Sequence, residues 1–228
     1  MKIKFTTANE GVYEHFKPEP VKLHLPQWFK DTPKTDSDPN KVQSYSMTHS
    51  PFTITSCIPV RDYMTSGYVL FNTADRVVDT LPNTDPADFT DYSHEGKLGF
   101  HRHGQCPVTM DGKRTHYFKF INTWVVQTPK GYSCMFYQPE YFFEDRFRLF
   151  PAIVDTDTHT MPVNFTGAIK SKESFVLKAG EPLMVVFPFK RDEWESEIEC
   201  KDVMYDSKFS IYLNKVYKRF FHSKKVYR

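Results

Sequence analysis

Hydrophobic positions along the chain fall in short runs separated by turn signals. In the first thirty residues Val21, Leu23 and Leu25 alternate with polar neighbours, which predicts an extended piece. The stretch DTPKTDSDPN (31–40) is rich in Pro, Asp and Thr and reads as a loop or linker. Beyond it, FTITSCIPV (52–60) predicts a strand, Asp62 to Ser66 a turn, and GYVLFNTADRVV (67–78) a pair of strands. A polar segment, 81–99, predicts a long loop. Strands follow at 116–128, 132–139 and 146–157, with a further pair around 162–169 and 181–189. Many short strands at this spacing indicate a mainly β fold, a barrel or sandwich.

The end of the chain has another period. Phe209, Tyr212, Leu213, Val216, Tyr217, Phe220 and Phe221 recur at the three- and four-residue steps of an amphipathic helix. Lys208, Lys215, Lys218 and Arg219 occupy the other face. The expected organisation is therefore an N-terminal arm and linker over 1–47, a β body over 48–200 and a basic helix over 201–228.

Composition sharpens this picture. Of 228 residues, 21 are Phe and 13 Tyr, types that suit half-buried strand surfaces, and 16 prolines disfavour long central helices. A net charge of +2 does not by itself call for a nucleic-acid partner. Cys57, Cys106, Cys134 and Cys200 form no C-x-x-C pair, so neither a zinc ribbon nor a redox motif is present. The opening MKIKFTTANEG has no apolar signal core, and no run approaches the ~20 apolar residues of a membrane span. The expected setting is a cytoplasm, or a virion assembled in a host cytoplasm, without secretion.

Four segments in order carry a resemblance: Thr65-Ser-Gly-Tyr-Val-Leu70, Thr128-Pro-Lys-Gly-Tyr132, Ala152-Ile-Val-Asp-Thr-Asp157 and Leu177-Lys-Ala-Gly-Glu-Pro-Leu183. Together they resemble the dUTPase and dCTP deaminase superfamily. That resemblance implies a β-clip body and a homotrimer, with Asp155 in the place of the water-activating carboxylate and Tyr68 in the first motif. The enzyme pattern is incomplete. Where the family holds phosphates with a Ser and an Arg, this chain reads Gln138-Pro-Glu-Tyr-Phe-Phe-Glu-Asp145. Val69 stands in place of the first motif's aspartate, and Thr158 in place of the stacking tyrosine. One base without phosphate clamps or a stacking ring does not assemble a transition state. The chain also resembles a group of uncharacterised phage and bacterial proteins, through Phe118–Trp124, Thr128–Ser133, Val154–Asp157 and Pro188–Asp192.

Several residues have chemistry worth placing. Asp155, Asp157 and His159 alternate and would share one face of a strand, as a metal site or an acid–base pair. The competing reading is a strand end turning into a loop, with the side chains bonded to local backbone. His101 and His103 form an H-x-H pair, but Gln105, Cys106 and Pro107 follow where a cupin-type site needs a carboxylate. Cys134 lies in a hydrophobic run, which favours a buried core thiol over a nucleophile. Lys130-Gly131 reads as a β-turn after Pro129, and a lone glycine makes no phosphate cradle. The basic end, with Lys215, Lys218, Arg219, Phe220 and Phe221, suits packing against protein first and nucleic acid second.

These readings lead to a non-enzymatic structural or assembly protein of phage type. It is expected to form a homo-oligomer, a trimer by the resemblance, and to contact other structural proteins without membrane, metal or cofactor. The alternative is a nucleotide-binding or nucleotide-hydrolysing relative of dUTPase. A basic pocket beside Asp155, built from Arg146, Arg148 or Lys190, would favour that alternative. Packing of the same surface by Tyr141, Phe142 and Phe143 would oppose it.

Overall fold

The computed structural model describes residues 1–36, 52–80, 89–91, 99–100, 117–171 and 173–200. The expected C-terminal helix, including Lys215, Lys218, Arg219, Phe220 and Phe221, lies outside the described residues, as do His101, His103 and Cys106. The chain divides into two units. One comprises Met1–Leu23 and Gly67–Arg191, the other His24–Ser66 and Asp192–Arg228. The expected arm, 1–47, is thus shared between the units.

The first unit is mainly β. It begins with strand β1 (Lys4–Thr6), helix α1 (Glu10–His15) and strand β2 (Glu19–Pro20). Asn9 caps α1 by accepting the Val12 N–H at 3.0 Å, as a short polar side chain does at a helix start. The predicted extended piece at Val21–Leu25 is instead a 3₁₀ turn over Val21–Leu23, lying just after Pro20. The strands that follow are β3 (Tyr68–Phe71), β4 (Arg76–Thr80), β5 (Phe89–Asp91), β6 (Gly99–Phe100), β7 (Tyr117–Phe120), β8 (Val125–Gln127) and β9 (Tyr132–Tyr137). The last are β10 (Phe147–Leu149), β11 (Ala152–Val154), β12 (Phe165–Ile169), β13 (Phe175–Leu177) and β14 (Pro182–Lys190).

They form four sheets, ordered β1-β8, β10-β12-β7-β6, β11-β9-β14-β3-β2 and β13-β4-β5. Each is open in its order, so no sheet closes into a barrel among the described residues. The five-stranded and four-stranded sheets share one core. Leu70, Cys134, Phe136, Met184 and Val186 come from the former, and Phe118, Phe120, Phe147, Leu149 and Phe165 from the latter. Phe118 meets Phe120 edge to face at 5.2 Å between ring centres, an arrangement the aromatic quadrupole favours. Val12, with Phe5 and Phe16 against the same cluster, brings the first segment into this core. The alternate residues of the five-stranded sheet point the other way, where Val69 and Val185 pack with Val21.

β14 organises the larger sheet. It pairs antiparallel with β9 from Val185↔Tyr137 to Lys190↔Tyr132, and with β3 from Pro182↔Phe71 to Val186↔Tyr68, with an irregularity between Pro182 and Met184. Pro188, opposite Cys134, lies past the end of β3. The predicted strand pair at 67–78 divides between two sheets. Asn72 anchors the crossing: its amide donates to the carbonyls of Leu177 (3.2 Å) and Lys178 (2.9 Å), and its carbonyl accepts from the buried Arg76 Nε at 2.9 Å.

In the second unit the predicted strand at 52–60 is helical. A 3₁₀ turn over Ile54–Ser56 leads into α3 (Ile58–Thr65), which absorbs the predicted turn at 62–66. Pro59 sits in the first turn of α3, where its missing N–H costs nothing. The preceding turn is tied down by the Ser56 hydroxyl, which donates to the Lys34 carbonyl at 2.6 Å. Helix α2 (Gln27–Asp31) completes the helical part of this unit among the described residues. No helix among the described residues is long and apolar enough to cross a membrane.

Candidate functional site

The predicted strand through 146–157 breaks at Phe150-Pro151 into β10 and β11, and β11 ends at Val154. Asp155 therefore does not continue a strand. It opens a turn in which its carbonyl accepts from the Thr158 N–H at 3.0 Å and the His159 N–H at 2.8 Å. Of the two readings of Asp155, Asp157 and His159, the strand end turning into a loop is present and the common strand face is not. Among the described residues no three His, Cys, Asp or Glu side chains converge as a metal set.

What converges on this turn comes from across the sheet. The antiparallel register sets Ser133 opposite Phe189 and Tyr132 opposite Lys190, which brings the end of β14 to the start of β9. The Arg191 N–H then donates to the Gly131 carbonyl at 2.9 Å. The Arg191 side chain lies over both carboxylates. Its Nη1 donates to Asp157 Oδ1 at 2.9 Å, sits 2.9 Å from Asp155 Oδ1 and 3.0 Å from the Ser133 hydroxyl, while its Nη2 donates to Asp157 Oδ2. The buried Ser133 hydroxyl donates to Asp155 Oδ1 at 2.6 Å. The Gly131 N–H donates to Asp157 Oδ2 at 2.8 Å.

Gly131 has a reason to be glycine. Tyr132 N–H bonds back to the Pro129 carbonyl at 3.2 Å, closing a turn with Lys130 and Gly131 at its corners. Gly131 sits at φ +86°, the left-handed region that a side chain disfavours. The predicted turn is present, with Pro129 at its first position. Lys130 points its side chain into solvent at the corner.

The electrostatics follow from these contacts. The Ser133 hydroxyl first, and then the Arg191 guanidinium, hold the Asp155 carboxyl below the usual carboxylate range. For Asp157 the Arg191 guanidinium leads and the Gly131 N–H adds to it, again lowering the carboxyl. Asp157 in turn leads in raising the Arg191 guanidinium above its ordinary value. Both carboxylates are ionised at neutral pH, and two negative charges face one positive charge. The surroundings are uneven: the Asp157 side chain is 4% exposed and the Asp155 side chain 60%. A depressed carboxylate already accepting bonds from a serine and an arginine is a weak proton acceptor.

Behind this cluster, the Thr128 and Thr156 hydroxyls lie 2.7 Å apart, and Thr156 donates to Cys134 Sγ at 3.3 Å. Burial pushes the Cys134 thiol up, against the smaller effect of the Thr156 bond. A buried, protonated thiol behaves as core.

Other predicted residues fall elsewhere. Tyr68 sits in β3 opposite Val186, with its ring 5.3 Å from that of Phe5. Arg146 binds Glu144 Oε2 at 2.6 Å and Glu181 Oε2 at 2.5 Å, and its Nη1 donates to the Val176 carbonyl at 2.8 Å. Arg148 and Lys170 line a cleft of about 80 Å³ with Gln138, Pro139, Glu140 and Glu144, far below the ~300 Å³ at which drug-sized ligand sites begin. The cation beside Asp155 is Arg191, not one of the three considered from the sequence. Of the aromatic run considered as a cover for the site, Phe143 is exposed at the end of a 3₁₀ turn over Glu140–Phe142.

No family model matches the chain, and no curated protein matches it. Among solved structures the native dUTPase of EIAV aligns with a TM-score of 0.34 and 9% sequence identity, over 59% of this chain and 87% of that one. At that TM-score the likeness carries no argument.

Proposed function

We propose that this chain is a non-enzymatic structural or assembly protein of phage type that forms a homo-oligomer, with the basic C-terminal residues, Lys215, Lys218 and Arg219 among them, making contacts to other proteins. The observation that supports it is the closure of the Asp155 cluster on itself. Arg191 bonds Asp155, Asp157 and Ser133 together, so the one carboxylate with a catalytic precedent by resemblance is occupied from within the chain. In mechanical terms the cluster ties the β9 turn, the turn after β11 and the end of β14 into one unit. Asp155 and Asp157 are its struts, and Gly131 is its corner.

One observation favours the nucleotide-binding alternative: the cluster places a cation beside Asp155. Its charge is already exceeded by two carboxylates, which disfavours a triphosphate at the same point. The test is thermal unfolding with and without deoxynucleoside triphosphates and magnesium, alongside light scattering for mass. A ligand that binds only the folded state raises the midpoint by mass action. The expected result is no shift with any nucleotide and a mass of several 26.9 kDa chains. A clear rise with one nucleotide would overturn the reading and direct mutagenesis to Asp155.

A further inference from the structure

Directly after the Arg191 cluster the chain reads Asp192-Glu-Trp-Glu-Ser-Glu-Ile-Glu-Cys200. Glu193, Glu195, Glu197 and Glu199 alternate with Trp194, Ser196, Ile198 and Cys200. A strict period of two over eight residues is the pattern of a strand with one acidic and one largely apolar face. The segment is neither helix nor strand, and every residue in it is exposed. Trp194 is 88% and Ile198 94% exposed. Large apolar side chains at strand spacing, left in water, ask for a partner.

This chain offers a matching edge. β11 pairs with β9 on one side, and its other side has no strand partner among the described residues. Ile153 of β11 is 66% exposed and lies opposite the exposed Met135, which lies opposite Phe187 of β14. Ile153, Met135 and Phe187 thus form an apolar row across the outer face of the sheet, ending at the free edge. A strand added there with Trp194 and Ile198 on the same face would extend that row. Its glutamates would fall on the other face, that of the exposed Ala152 and of Val154, which packs against the core cluster.

We propose that residues 192–200 of one molecule add as a further strand to the free edge of β11 in a second copy. Main-chain bonds supply the pairing, and the side-chain alternation supplies the facing. The proposal rests on the homo-oligomer reading above and names the segment that would build it. An unpaired edge presents main-chain donors and acceptors, and the docked strand would pair them.

The test uses two full-length variants: Trp194→Glu with Ile198→Glu, which spoils the segment, and Ile153→Glu, which spoils the edge. All three positions are exposed, so both variants are expected to unfold as cooperatively as the wild-type chain does. The expected result, by light scattering across a concentration series, is that each variant self-associates about a hundredfold more weakly than wild type. An equal mixture of the two regains a two-chain species, because one keeps a sound segment and the other a sound edge. If either variant alone keeps the wild-type mass, or the mixture fails to associate, the strand addition is overturned while the homo-oligomer reading stands. If the wild-type chain is itself a single chain at all concentrations, both readings fall together.

Discussion

Gly67 and Gly131 share nearly the same backbone, φ +87° and +86°, but have opposite surroundings. A Cβ at Gly131 would meet nothing within 4 Å. A Cβ at Gly67 would lie 2.6 Å from the Val186 carbonyl oxygen and 3.1 Å from Val185 Cγ1. Replacing each by alanine therefore separates conformational strain from collision. At Gly131 only the left-handed strain applies, roughly 1–2 kcal/mol. At Gly67 the same strain is joined by an overlap with backbone held between β3 and β9, and overpacking of that kind adds about 1–3 kcal/mol. The loss of unfolded-chain freedom from Gly→Ala, about 0.4–1 kcal/mol in favour of the variant, is common to both and cancels in the comparison. Gly67→Ala should thus be less stable than Gly131→Ala by about 1–3 kcal/mol. Urea unfolding followed by circular dichroism, extrapolated linearly to water, measures the difference. A gap below about 0.5 kcal/mol, or a reversed order, would refute the close approach of Gly67 to β14.

Two further outcomes follow from the core and the cluster. Phe118→Ala removes a fully buried ring in contact with Phe120 and Phe147, and should cost about 3–5 kcal/mol in the same assay; a cost under 1 kcal/mol would contradict its place between the sheets. Asp155 and Asp157 have lowered carboxyls in the folded chain, so their contribution to stability is present above the ordinary carboxylate value near pH 4 and is lost as pH falls through the folded values. A variant carrying Asp155→Asn and Asp157→Asn should therefore be less stable than wild type at pH 7, with the gap closing below about pH 4. A gap unchanged down to pH 2.5 would show that Arg191 does not discriminate the charged carboxylates.

The strands that carry long apolar runs were legible in the sequence. β9 and β12 lie inside their predicted segments, and β14 overruns its segment by one residue, because each is flanked by strands on both sides and burial keeps the run apolar. The segment 52–60 misled for the same physical reason in reverse. Its Thr and Ile residues favour strand, but Pro59 in the first turn and the Ser56 bond to Lys34 go with a helix, and propensity is a weak prior against tertiary context. Asp155 and Asp157 were visible as candidates and Lys130-Gly131 as a turn, but only the structure sets them side by side. Arg191 was not, because it reaches Asp157 from 34 residues away through the β14–β9 register. The available signal was the alternation of β14: Val185, Phe187, Phe189 and Arg191 share a face, and Ser133 on β9 lies opposite Phe189.

Pro188 has a consequence for how the sheet finds its alignment. The Arg191 N–H points to β9, so by alternation the position of the missing N–H at Pro188 faces the β3 side, beyond the last β3 pair at Val186↔Tyr68. In the native register the absent donor costs nothing. A slip of two residues would preserve every inward and outward side chain, so facing alone would not prevent it. That slip would set Pro188 against Tyr68 and leave a β3 acceptor without its donor. The proline therefore acts as a ratchet stop, penalising a two-residue slip in one direction that the hydrophobic pattern would tolerate.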